Sequence, residues 1–97
     1  MSVLICTMTT VDPKAPEALA TYLGMTGPLM DAVGARILES YEVTETLIGP
    51  EPPRQVTIVE YPDRASVDRV YNSAEYLWLS EMRKRAFRDY RISIIRG

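Results

Sequence analysis

The chain contains no histidine and a single cysteine, Cys6. Without an imidazole there is no His-based general acid–base group, no Ser-His or Cys-His nucleophile pair, and no His-type zinc or iron centre. With one thiol there is no internal disulfide and no thiolate metal cluster. No metal site is expected, and nothing in the residues calls for a cofactor. Cys6 lies in a β-rich run, where a buried, inert thiol suits a reducing cytoplasm.

Long apolar runs are also missing. None approaches the roughly 20 residues of a membrane helix, and the patch Val3–Cys6 is too short for a signal peptide and lacks a basic flank. A cytoplasmic protein without a membrane partner is expected. Net charge is scarce too. At −2 it is too small to argue for nucleic acid or another polyanion as partner. No Gly-rich phosphate loop, metal-ligand spacing or nucleophile elbow is present.

What is present reads as one soluble domain over residues 1–97. The apolar and charged fractions, 46% and 25%, are ordinary for a globular chain, and at this length folding hides roughly two-thirds of the surface. Val3 to Thr9 is a strand with apolar residues on both alternation faces: Val3 and Ile5 on one, Leu4, Cys6 and Met8 on the other. Such a strand is expected to be covered on both sides. Asp12-Pro13 reads as a helix start, followed by a stripe of Leu19, Tyr22, Leu23, Thr26 and Met30. Gly24, Gly27 and Pro28 predict a kink or break near Gly27, and Gly34 a C-terminal stop.

A long second strand is expected over Ala35–Thr46, with Ala35, Ile37, Glu39, Tyr41 and Val43 on one face. The proline-rich turn Ile48–Pro53 follows, then a third strand, Gln55–Tyr61, on which Val56, Ile58 and Glu60 share a face. Pro62-Asp63 caps a helix over Ala65–Tyr71, Ser73 caps a second over Ala74–Phe87, and Arg91–Ile95 forms the last strand.

The resulting order is β-α-β-β-α-α-β. Two right-handed crossovers on one sheet make an α+β, ferredoxin-like arrangement: four antiparallel strands in the order 4-1-3-2, with the helices on one face. The other face would then expose a larger apolar patch than soluble monomers usually tolerate. A homodimer packed through its sheet faces resolves this.

Several stretches now resemble a known family. Val3–Thr9, Asp12-Pro13, Gly34–Leu38, Leu47-Ile48-Gly49 with Pro53-Arg54, Val59-Glu60-Tyr61-Pro62 and Tyr71–Tyr76 occur in the order and spacing of the domain-of-unknown-function 1330 family. The Glu-aromatic-Pro step followed by Tyr-x-Ser-x-Glu-Tyr is the most specific part. The resemblance implies a ferredoxin-like protomer that forms a dimeric α/β barrel, and it supplies no reaction. The chain departs from the family pattern at Val33-Gly34-Ala35, where His-Gly-Gly is common, and at Pro50-Glu51-Pro52, where an aromatic often sits.

Glu60 is the sharpest candidate for chemistry. It shares a strand face with Val56 and Ile58, so its carboxylate points into an apolar layer as a proton donor or acceptor. The alternative is a strand-end glutamate paired with an arginine or a tyrosine hydroxyl. Arg54, on the Glu60 face, and Arg83, on one helix face with Tyr76, are candidates to hold a ligand carboxylate or to close an ion pair. Tyr71 and Tyr76 flank the Asn72-Ser73 break; each either hydrogen-bonds a ligand or packs in the core. Leu77, Trp78 and Leu79 cannot share one helix face, so one must point towards a partner or a pocket mouth. The basic run Arg83-Lys84-Arg85 reads as a solvated helix end.

The resemblance extends loosely to cofactor-free monooxygenases, muconolactone-type isomerases and ligand-sensing modules. On that basis one expectation is a cofactor-free enzyme acting on a small metabolite, with Glu60 in proton transfer and Arg54, Arg83, Tyr71 and Tyr76 around the ligand. The other is a non-catalytic small-ligand-binding or regulatory module using the same cleft.

Overall fold

The computed structural model describes residues 1–96. Its elements are β1 (Val3–Val11), α1 (Pro16–Ala32), β2 (Arg36–Glu42), β3 (Gln55–Tyr61), α2 (Arg64–Tyr71), α3 (Ala74–Trp78), α4 (Ser80–Ala86) and β4 (Phe87–Ile95). The four strands form one antiparallel sheet in the order β2-β3-β1-β4, the expected ferredoxin-like order. The helices lie on one face of it, giving two layers and a slab of 36 × 33 × 16 Å. No helix among the described residues is long and apolar enough to cross a membrane.

Alternation along the central strand decides what meets the helices. Ile5 of β1 pairs with Val59, and Thr9 with Tyr90, so odd-numbered residues of β1 and β3 turn towards the helices. Ile5, Val59 and Tyr61 meet Ala18 and Tyr22 of α1 and Val67, Val70, Tyr76, Leu79 and Ala86 of the later helices in the buried core. The even residues Leu4, Cys6, Met8, Val56 and Ile58 stand on the opposite face, which no helix covers.

Local chemistry places several element ends. Asp63 caps α2: the backbone N–H and the hydroxyl of Ser66 both donate to its Oδ1 at 2.7 Å. Ser73 caps α3 by accepting from the Tyr76 N–H at 3.1 Å, and its own hydroxyl donates to the Val70 carbonyl. Gly34 ends the first αβ connection at φ +79°, and a Cβ there would come within 3.4 Å of the Pro62 ring. A side chain at that position is therefore strained by backbone and crowding together.

The Asp63 cap carries a pH dependence. The hydrogen bonds from Ser66 hold its carboxyl below the usual aspartate range. A group whose folded pKa is depressed contributes stability above its unfolded pKa, and that contribution fades as pH falls through the folded value. Asp63→Asn keeps a cap oxygen but loses the charge. The wild-type advantage over Asp63→Asn, measured by urea unfolding, should be constant near neutrality and shrink below about pH 4. A difference that does not change with pH would show that the charge is immaterial.

Four expectations need correction. Asp12-Pro13 does not start α1: Asp12 Oδ1 instead accepts the Lys14 N–H in a turn, and the helix opens at Pro16. Proline at the first helical position explains the shift, because it disfavours helical backbone at Ala15. α1 also runs unbroken through Gly24, Gly27 and Pro28. Burial of Tyr22, Thr26 and Ala18 outweighs the local penalty.

The second strand is shorter than expected and its register shifts between Ile37 and Glu39. Ile37 pairs with Val59 on the helix side, whereas Glu39 and Tyr41 pair with Ile58 and Val56 on the open side. A bulge inserts one residue and so reverses the alternation, which a strict period of two cannot anticipate. Finally, the last helix is two segments joined at Leu79, and β4 begins at Phe87 rather than Arg91.

Candidate functional site

A cavity of about 350 Å³ lies between the helix layer and the sheet. The stripe Leu19, Tyr22, Leu23, Thr26 and Met30 of α1 forms one wall. Thr7, Thr9, Thr57 and Val59 of the central strands form the floor, and Val70, Tyr71, Tyr76, Phe87 and Tyr90 close the far side. Every lining residue is neutral. Two of its lining residues, Leu23 and Ile37, remain more than half exposed.

Five of the six tyrosines gather here. The Tyr22 hydroxyl lies 2.8 Å from that of Tyr76 and 2.7 Å from that of Tyr90, and the last two are 3.1 Å apart. Three hydroxyls from α1, α3 and β4 therefore bond one another in a triangle. Beside it the Tyr61 hydroxyl donates to Tyr71 at 3.3 Å. The rings interlock edge to face, with Tyr71 and Tyr76 centroids 4.9 Å apart at 79°, a favoured aromatic geometry.

Burial pushes the phenols of Tyr22, Tyr71 and Tyr90 far above the ordinary tyrosine range, and for Tyr71 and Tyr90 the neighbouring tyrosines add to the rise. Tyr61 is raised too, chiefly by burial. These groups keep their protons at any pH the fold would meet. They act as hydrogen-bonding hydroxyls, not as phenolate bases.

The residues marked in the sequence are divided by the sheet. Tyr71 and Tyr76 line the cavity. Arg83 stands over two of its tyrosines, with the guanidinium carbon 5.4 Å from the Tyr76 ring centre and 5.5 Å from that of Tyr90. Such cation–π contacts contribute on the order of 1 kcal/mol and keep the arginine on the rings rather than in the cavity. Glu60 lies on the open face, where Arg36 Nη2 donates to its Oε1 at 2.8 Å. Arg36 is more than two-thirds exposed, so the pair adds little to stability. Arg54 reaches the Val43 carbonyl at 3.5 Å. Six residues along a strand put it about 20 Å from Glu60, beyond any direct contact.

Tyr22 and Tyr90 carry no motif that would single them out. Tyr22 lies on the expected α1 stripe, where a tyrosine reads as core. Tyr90 precedes the expected start of the last strand, so its inward direction follows only from β4 beginning at Phe87.

The family model for the domain of unknown function DUF1330 matches residues 5–97. The chain belongs to the DUF1330 family. No curated protein matches it. Among solved structures, a protein of unknown function from Rhodopseudomonas palustris is similar at 23% identity and a TM-score of 0.82, over 99% of this chain and 82% of that one. Rv0793 from Mycobacterium tuberculosis is similar at 20% identity and a TM-score of 0.67, over 100% and 95%. SnoaB, a cofactor-independent oxygenase from Streptomyces nogalater, is similar at 12% identity and a TM-score of 0.64, over 99% and 92%. At these identities the likeness establishes the ferredoxin-like fold of this DUF1330 chain and leaves its chemistry to its own residues.

Proposed function

We propose that the chain binds a small, neutral, largely apolar molecule in the cavity between sheet and helices, as one protomer of a homodimer packed through the open sheet faces. One observation carries the ligand class: no charged side chain lines the cavity. An anion entering it would lose water without gaining an ion pair, a cost that grows steeply in apolar surroundings. The volume falls at the small end of the roughly 300–1,000 Å³ typical of ligand pockets. The dimer rests on Leu4, Cys6, Met8, Val56, Ile58 and Tyr41, an apolar group that the helices leave uncovered.

A second reading is a cofactor-free enzyme with Glu60 in proton transfer. It draws on the fold shared with SnoaB, a cofactor-independent oxygenase. Against it stands the sheet between Glu60 and the cavity; a ligand reaching Glu60 would occupy the seam between protomers. The cavity-binding reading is preferred for that reason.

Titration with 2-naphthol and 2-naphthoate, followed by fluorescence and thermal shift, tests this. The neutral compound should bind roughly tenfold or more tighter than the carboxylate. Thr57→Trp, which fills the floor, should abolish binding, and Glu60→Gln should leave it unchanged. Tighter binding of the naphthoate would overturn the proposal. An affinity that falls with Glu60→Gln would move the site to the open face and favour the enzyme.

A further inference from the structure

The triangle of hydroxyls has a proton count that a ligand must respect. Each phenol has one O–H to donate and accepting capacity on its oxygen. Tyr22, Tyr76 and Tyr90 make three mutual contacts of 2.7 to 3.1 Å, and three protons fill them when the ring closes head to tail. Each oxygen then donates once and accepts once. What remains on every member is an accepting lone pair, and no proton is left over. The neighbouring Thr26 hydroxyl is committed as well, since it donates to the Tyr22 carbonyl at 2.9 Å. Closed rings of this kind strengthen their own bonds, because each donor is polarised by the bond it accepts.

We infer that the Tyr22–Tyr76–Tyr90 ring sets the hydrogen-bond sense of its own wall of the cavity, favouring there a neutral ligand that donates a hydroxyl proton over one that offers only an acceptor. The inference rests on the cavity binding proposed above. A ligand hydroxyl reaching this wall bonds a free lone pair and leaves the ring intact. A ligand ether or carbonyl finds no proton there unless a tyrosine–tyrosine bond is broken. Burial keeps the Tyr22 and Tyr90 phenols protonated.

The ring makes an unusual expectation for its own removal. In Tyr22→Phe the two remaining hydroxyls share one bond, which frees one proton. The same holds in Tyr90→Phe. Either variant should therefore gain affinity for an acceptor ligand while keeping its affinity for a donor. A residue that merely shapes the cavity would weaken both ligands together.

The experiment compares 2-naphthol with 2-methoxynaphthalene, whose oxygen carries a methyl group in place of the proton, on wild type, Tyr22→Phe and Tyr90→Phe. Circular dichroism and melting confirm that each variant is folded. Wild type should bind 2-naphthol roughly three- to tenfold tighter than the ether, the value of one net hydrogen bond. In a folded variant the ether should tighten by roughly the same factor and 2-naphthol should hardly change. Equal wild-type affinities, or an ether that fails to gain in a folded variant, overturn the inference and leave cavity binding standing. If neither compound binds wild type, cavity binding fails with it.

Discussion

Replacing Ile58 by aspartate should turn the proposed dimer into a monomer without unfolding the protomer. Ile58 sits near the middle of β3 on the open face, directly opposite Cys6 on β1 and Glu39 on β2. Its side chain points away from the helices, so the buried core does not depend on it. In a sheet-to-sheet dimer the same position is central and desolvated. A carboxylate placed there without a partner costs several kcal/mol. About 4 kcal/mol corresponds to a dissociation constant about a thousandfold weaker. Size-exclusion chromatography with light scattering should read a dimer for wild type and a monomer for Ile58→Asp, with unchanged circular dichroism.

Trp78→Ala is the companion measurement. Trp78 is 69% exposed on the helix side, so it is the rival association surface. It should leave the dimer intact. A monomeric wild type, or a dimer that survives Ile58→Asp and dissolves with Trp78→Ala, would remove the sheet face as the interface.

The second large effect belongs to Leu79. Its side chain is fully buried, whereas its neighbours Leu77 and Trp78 are 62% and 69% exposed. Two of the three consecutive large residues thus point outward and one holds the junction. Leu79 is where α3 ends and α4 begins: its N–H donates to the Tyr76 carbonyl at 3.1 Å, and its carbonyl accepts from Arg83 at 2.9 Å. Those backbone bonds survive truncation; the side-chain packing does not. Leu79→Ala should cost about 2–5 kcal/mol, the range for a buried leucine truncated to alanine. For a domain of this size the melting temperature should fall by at least about 10 °C. Leu77→Ala should stay within about 0.5 kcal/mol of wild type. Comparable losses for the two would contradict the burial of Leu79. Because Leu79 links Tyr76 to the segment carrying Arg83, its truncation should also weaken 2-naphthol binding.

The corrections to the expected elements share a cause. The pattern around Gly27 and Pro28 is a local argument for a break, yet α1 continues because Ala18, Tyr22 and Thr26 are buried on its inner side. The facing of Ile37 against Glu39 is an alternation argument, and the register shift at Leu38 overrides it. The hinge at Leu79 carries no glycine or proline to announce it. In each case packing between distant segments outweighed a preference read over a few residues.

What the sequence determined by itself is the chemistry that acts over short range. The order of strands and helices, the caps at Asp63 and Ser73, the turn at Gly34 and the two-faced apolar pattern of β1 all follow from neighbours within a few positions. So does the Glu60 face, shared with Val56 and Ile58. Only the tertiary structure decided which side of the sheet encloses a cavity, and which tyrosines built it. Tyr22 and Tyr90 are 68 residues apart, and their 2.7 Å contact exists because a helix crosses the sheet at one height. No period of 2 or 3.6 encodes that meeting. Glu60 keeps its expected face and still lies outside the cavity, because one strand position is enough to put a side chain on the other side of the sheet.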